Sequence, residues 1–366
     1  MNDSRRKQKI LVFGAGVLGS YYAAMLQEGG HDVTVVARGQ RCHDIKEHGI
    51  VIEYYGSKEW TTTKVKVLDR MPSKDYYDFC LVLVQKSQLG QALQELAVND
   101  KIPAFMVMGN NAEGPQAIIE ALGRERVLLG FPNAGGEREG HIIRLMPIKI
   151  KGITIGELDG AISERLKNIA SVFKDGGIKV EYSRNMDAWL RYHVAIVAPL
   201  AGALFMAGSC NYKLARNPRI IKKWLQGVRE AFRVLKAHGF PVEPSALKFI
   251  FGMPDFILLP FIRRLLNTEL MDIAGARHAR NAPEEMRQLS EELIALAREA
   301  GVETPVLDEL HRYSGLSIPP AGQDKAGMEQ GGKRDLITTA CRDKYAVRLR
   351  QERLPGFSSI INHKSN

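Results

Sequence analysis

Residues 10–13 (ILVF) are apolar throughout and break directly into Gly14-Ala15-Gly16-Val17-Leu18-Gly19, and a helical pattern then runs from Leu18 to Gln27. No other feature of the chain narrows its fold as much. Gly29-Gly30 ends the helix, and residues 33–37 (VTVVA) form a second β-branched run. Strand, glycine turn, helix and strand within about 30 residues make one βαβ unit. A glycine triplet at this spacing is a weak signal by itself. Set between a buried strand and a helix, it predicts a dinucleotide site. Gly14 allows the tight turn, Gly16 lets the backbone approach a pyrophosphate, and Gly19 lets helix and strand pack closely. Ala15, Val17 and Leu18 complete the loop, whose free N–H groups face the phosphates at the positive end of the helix.

The end of the second strand bears on which nucleotide is bound. A chain that selects NAD usually carries Asp or Glu there, accepting from the ribose 2′-OH. Here the strand closes Val36-Ala37-Arg38-Gly39, with Arg41 just beyond. Arg38 can give two parallel hydrogen bonds to a 2′-phosphate and lay its guanidinium on the adenine. The expected cofactor is therefore NADP. The plainer alternative for Arg38 is an exposed loop residue.

With 366 residues the chain has room for two domains. Residues 79–84 (FCLVLV) and 104–108 (AFMVM) predict further buried strands, each followed by a helical pattern. Apolar runs separated by helices argue for a parallel sheet covered on both faces. Between about 127 and 182 the segments 127–129, 141–145, 149–155 and 179–182 read as antiparallel strands finishing that sheet, with a helix at about 162–174. From Arg184 onward the pattern is helical, at 187–207, 218–238, 244–267, 268–279 and 283–300. The expectation is an α/β chain, with a Rossmann-type doubly wound sheet over 1–184 and an all-α substrate and dimerisation domain over 185–315. Residues 316–366 are expected to be a flexible basic tail, because 318–334 are too rich in Pro, Gly and charge to bury much surface.

The net charge is +10, part of it at the ends (Arg5, Arg6, Lys7, Lys9 and residues 333–353). Without a zinc-finger or RNP signature this reads as solvated termini, not a nucleic-acid patch. The four cysteines form no CxxC pair and have no His cluster beside them. They suggest neither a disulfide scaffold nor a metal site, and a cytoplasmic setting fits. Residues 194–208 are apolar but too short to span a bilayer and contain Pro199, so they read as a buried helix. The apolar stretch 249–262 is interrupted by Pro254, Asp255 and Pro260, and reads as a core helix or a homodimer contact.

Beyond the glycine turn, the chain resembles the ketopantoate reductase (2-dehydropantoate 2-reductase) family from about residue 10 to 313. The markers are GAGVLGS at 14–20, Arg38, VQKSQ at 84–88, GNNAEG at 109–114, AWLRYHVAIVAPLAGAL at 188–204 and AREAGVETP at 297–305. The resemblance implies NADPH-dependent reduction of a 2-keto acid, with 2-dehydropantoate to pantoate (pantothenate and CoA biosynthesis) the leading reaction. It places Lys86 and Asn110 beside the cofactor. Both follow parallel strands at their carboxyl ends, where open α/β sheets bind ligands. Counting back from Gly301 puts the substrate-orienting glutamate at Glu285, with Glu284 its neighbour, although Pro283-Glu284-Glu285 also suits a plain first helical turn.

The second domain departs from the family. The usual pattern has a lysine two residues after the tryptophan and an asparagine one turn later. Here Arg191 follows Trp189, and Ala195 takes the asparagine position. Arginine is a poor proton donor but can hold a carboxylate or an oxyanion. His193 and Lys86 are the other acid candidates, His193 being either a cleft or a core residue. Residues 191 and 193 do not share a helix face. The stretch 272–275 (DIAG) lacks the family's carboxylate-binding serine, and Arg277 or His278 could substitute for it. A second hypothesis follows from these departures: an NADP(H)-binding protein that acts on another small keto acid or has lost reductase activity to become a sensor.

Overall fold

The computed structural model describes residues 6–57, 60–148 and 152–314. The tail 316–366, the basic stretch 333–353, Arg5 and part of the predicted strand 149–155 lie outside the described residues. The first half alternates strands and helices. It opens with β1 (Lys9–Phe13), α1 (Val17–Glu28), β2 (Asp32–Val36), α2 (Gly39–His48), β3 (Ile50–Tyr54), β4 (Trp60–Thr63) and β5 (Lys66–Leu68). There follow β6 (Phe79–Val82), α3 (Lys86–Leu96), β7 (Phe105–Met108), α4 (Gln116–Leu122), β8 (Val127–Phe131), β9 (Ala134–Glu139), β10 (Ile142–Pro147), β11 (Ile153–Glu157), α5 (Glu164–Asp175) and β12 (Val180–Tyr182).

Eight strands form the main sheet in the order β12-β11-β8-β7-β6-β1-β2-β5. From β5 to β8 every pairing is parallel. Strand order reverses between β1 and β6, the switch point where open sheets bind ligands. Ile10, Leu11 and Val12 are fully buried because helices cover both faces. α1, α2 and α5 supply apolar residues to one face, and α3 and α4 supply the other.

Residues 127–182 do not finish one sheet as the sequence suggested. Among the described residues the main sheet has one antiparallel pairing, β11 against β8; β12 pairs parallel to β11, so both of these edge strands run opposite to the other six. β9 and β10 instead leave to form a four-stranded sheet with β3 and β4. β10 pairs with β3, some ninety residues earlier, and local alternation carries no sign of so distant a partner.

The second half is helical: α6 (Met186–Met206), α7 (Asn211–Arg216), α8 (Pro218–Ala237), α9 (Ala246–Gly252), α10 (Asp255–Leu266), α11 (Glu269–Met271), α12 (His278–Asn281), α13 (Pro283–Glu299) and α14 (Pro305–His311). The run expected at 244–267 breaks at Met253-Pro254, where the residue before proline is extended. Asp272–Arg277, between α11 and α12, is π-helical. α6 begins eight residues before the apolar stretch and reaches 21 residues. By length and composition it could therefore cross a membrane, unlike the shorter apolar stretch 194–208 taken alone. It lies mostly buried against α8, α13 and α14, as a core helix does. Ala112, from the loop after β7, inserts into this helical core.

Candidate active site

The glycine turn is built as its spacing requires. Gly14 has φ +104°, and a Cβ there would lie 2.2 Å from the Leu83 carbonyl oxygen. A Cβ on Gly19 would lie 1.8 Å from the oxygen of Gly14. Gly16 faces open space, so nothing blocks a ligand from its backbone. Gly16 is the N-cap of α1, and no side chain caps that helix. Its first N–H groups are left for an anion, and a pyrophosphate fits them. Arg41 is buried and braces the loop from behind. Its Nε donates to the Ala15 carbonyl at 3.1 Å, and its other nitrogens donate to Ser20 Oγ and the His141 carbonyl. Burial pushes its guanidinium down to about 10.

Arg38 caps the other side of this region, as the N-cap of α2. Its guanidinium is half exposed, 3.0 Å from Glu95 on α3. Exposed pairs contribute about 0–1 kcal/mol, so exchanging Glu95 for a phosphate costs little. The sole carboxylate of β2, Asp32, lies at its opposite end, paired with Lys66 at 2.9 Å.

Val84, whose side chain packs against Gly14, leads into Lys86, the first residue of α3. The Lys86 side chain is only 6% exposed. Its Nζ donates to Asn111 Oδ1 at 3.0 Å and to Glu113 Oε2 at 3.0 Å, and lies 3.3 Å from Glu292 Oε1. Asn110 follows β7 and donates through Nδ2 to Glu285 Oε1 at 3.2 Å. Its Oδ1 is buried without a hydrogen-bond partner among the described residues. Lys86 and Asn110 thus line one cavity at the carboxyl ends of β6 and β7, and Asn110 ties it to Glu285 at the start of α13.

Glu292, seven residues after Glu285 on α13, was not singled out from the sequence. It is buried, accepts the Ala112 N–H at 3.1 Å through Oε2, and receives Gln288 Nε2 at 3.3 Å on Oε1. Burial raises its carboxyl above the ordinary range, and the charge of Glu113 adds to the rise. Lys86 and the Ala112 N–H oppose it. The available signal was the seven-residue spacing, which returns a side chain to the same helix face.

The remaining predicted residues lie elsewhere. Arg191 is buried, and its guanidinium donates to the Ala112 carbonyl, to the Glu113 carbonyl at 2.8 Å and to Asp187 at 3.0 Å. It also stacks over Phe240, 4.1 Å from the ring centre. His193 lies on another face of α6, parallel to the Trp189 ring at 5.4 Å and 4.0 Å from Phe131. Arg277 donates to Asp272, Tyr55 and Glu137, so it joins the π-helical segment to the smaller sheet. His278 is exposed. Among the described residues no group of three or more His, Cys, Asp or Glu could hold a metal ion.

Residues 10–160 match the family described as Ketopantoate reductase PanE/ApbA. A 2-dehydropantoate 2-reductase of Aquifex aeolicus is 26% identical over 305 residues, covering 81% of this chain and 93% of the relative. Two solved structures share the fold. A putative ketopantoate reductase from Ralstonia solanacearum has a TM-score of 0.69 at 19% identity, covering 84% of this chain and 96% of the other. D-mandelate dehydrogenase with NADH and anilino(oxo)acetate has a TM-score of 0.69 at 15% identity, over the same shares. Residues 10–160 thus carry the match to the ketopantoate reductase PanE/ApbA family, and the chain is similar over most of its length to proteins named 2-dehydropantoate 2-reductase.

Proposed function

We propose that the protein reduces a small 2-keto acid with NADPH, and that 2-dehydropantoate is its leading substrate. One observation carries this reading: Lys86 and Asn110 line one cavity at the carboxyl ends of β6 and β7, and Asn110 donates to Glu285. A bound reduced nicotinamide supplies hydride to the keto carbon. The chain's own groups then have three tasks. The α1 N-terminus and Gly14–Gly19 hold the pyrophosphate. Asn110, with a free buried oxygen and an amide fixed by Glu285, orients polar groups on the cofactor side of the cleft. Lys86 presents a positive charge where negative charge grows on the carbonyl oxygen. Fixing the carbonyl against the ring supplies proximity. A cytoplasmic setting agrees with such a metabolic role.

The preference for NADPH rests on Arg38 and on the lack of a carboxylate at the end of β2. Arg38→Asp is expected to weaken NADPH at least tenfold while leaving NADH unchanged or improved, read from KM for each nucleotide. An unaltered ratio removes Arg38 from the assignment. NADPH oxidation over a panel of 2-keto acids, with 2-dehydropantoate included, tests the activity itself. Tight NADPH binding with no turnover on any of them would favour the sensor reading, to which the engaged guanidinium of Arg191 lends weight.

A further inference from the structure

We infer that Lys86 delivers the proton to the product oxygen in this protein, in place of any group at position 191, and that Glu292 and Glu113 divide the work of keeping it able to do so. The inference rests on the reductase reading above. Position 191 cannot take that role. Arg191 holds its proton too tightly to give it up at ordinary pH. Lys86 is the buried ammonium next to the glycine turn, and it carries transferable protons.

Its two carboxylate neighbours differ in one decisive respect. The Glu292 side chain is 3% exposed and held from both sides, by the Ala112 N–H and by Gln288. A fixed, dry carboxylate 3.3 Å away favours the ammonium form and keeps it aimed. The Glu113 side chain is 63% exposed and 3.0 Å from the same nitrogen, so it joins Lys86 to water. Glu292 is thus a positioning residue, and Glu113 is the path of resupply.

The step balances. The keto carbon gains a hydride and is reduced, while the nicotinamide is oxidised. The carbonyl π electrons move to oxygen, and oxygen takes a proton from Lys86 Nζ. Lys86, now neutral, regains a proton from water by way of Glu113. Overall, keto acid, reduced nucleotide and one proton give hydroxy acid and oxidised nucleotide.

Two readouts test this on the full-length chain. The first needs no cofactor: competitive labelling of Lys86 with an amine reagent as a function of pH. In Glu292→Gln the pH of half-labelling is expected to fall by at least one unit, with Glu292→Asp restoring most of it. The second is the pH profile of kcat for keto acid reduction at saturating NADPH. Its alkaline limb is expected to move to lower pH in Glu292→Gln by a similar amount, with KM for NADPH within threefold of the parent. Glu113→Gln is expected to lower kcat and enlarge the solvent isotope effect while leaving the labelling curve within half a unit. Arg191→Lys, if folded, should leave the alkaline limb in place. An unmoved labelling curve or an unmoved limb in Glu292→Gln, in a parent that turns over, overturns the inference alone. A limb that shifts in Arg191→Lys also overturns it. A parent that binds NADPH but reduces no keto acid overturns the reductase reading, and the inference with it.

Discussion

Arg191 shows how far a single residue can be read. The sequence places it where the related family carries a lysine, and its chemistry rules out easy proton donation. Its direction was not legible, because that depends on a loop some eighty residues earlier. In the structure the guanidinium closes off the carbonyls of Ala112 and Glu113 and packs over Phe240. Gly114 leaves room for it, since a Cβ there would lie 2.2 Å from Arg191 NH2. Truncation to Arg191→Met would leave Asp187 and two carbonyls short of a donor. Removing one side of such a buried, charge-assisted set is expected to cost about 2–4 kcal/mol, measured by urea unfolding. A change below about 0.5 kcal/mol, of the size common for surface substitutions, would show that these contacts contribute little. The same loop carries Asn110, Asn111 and Glu113, so the variant is also expected to raise KM for substrate.

Elements were legible where their pattern was local. The βαβ unit follows from ILVF, three glycines and VTVVA, and the structure reproduces each part as β1, α1 and β2. The four-stranded sheet was not legible, because β3, β4 and the β9–β10 hairpin are short and pair across long separations. Glu292 escaped notice for a related reason. A buried carboxylate on an amphipathic helix looks like any exposed one until the opposing Lys86 is in place. The close seat of the first turn of α1 on the Gly14 loop gives an element-scale prediction. Gly19→Ala would put a methyl group 1.8 Å from the Gly14 carbonyl oxygen, a backbone atom that cannot swing aside. The helix must shift, so NADPH affinity is expected to drop by more than tenfold in isothermal titration. Gly16→Ala meets no atom within 4 Å and is expected to keep the fold and its melting temperature. It is expected to weaken the nucleotide all the same, because a methyl group now occupies the approach to the pyrophosphate. Equal loss of thermal stability in both variants would contradict this division of roles.

At the scale of the whole molecule, the two halves are joined at more than the site. Ala112 is packed into the helical core, and Arg277 bridges the π-helical segment to Tyr55 and Glu137 of the smaller sheet. The outward face of the helical half is different in kind. Phe249, Phe256, Ile257, Phe261 and Leu265 are all exposed, Phe256 at 78%. Their grouping on α9 and α10 exceeds what scattered surface residues need. Asp255, at the start of α10, is already paired with Arg229 at 2.7 Å, so the apolar side chains are what mark this face. A second copy of the chain related by a two-fold axis would cover the phenylalanines. Sedimentation at micromolar concentration is therefore expected to give a dimer. Phe256→Glu with Phe261→Glu should give a folded monomer that keeps its affinity for NADPH, because neither residue is part of the nucleotide site. A parent chain that sediments as a monomer over the same range would rule out this pairing. A dimer that survives both substitutions would place its interface on another face of the molecule.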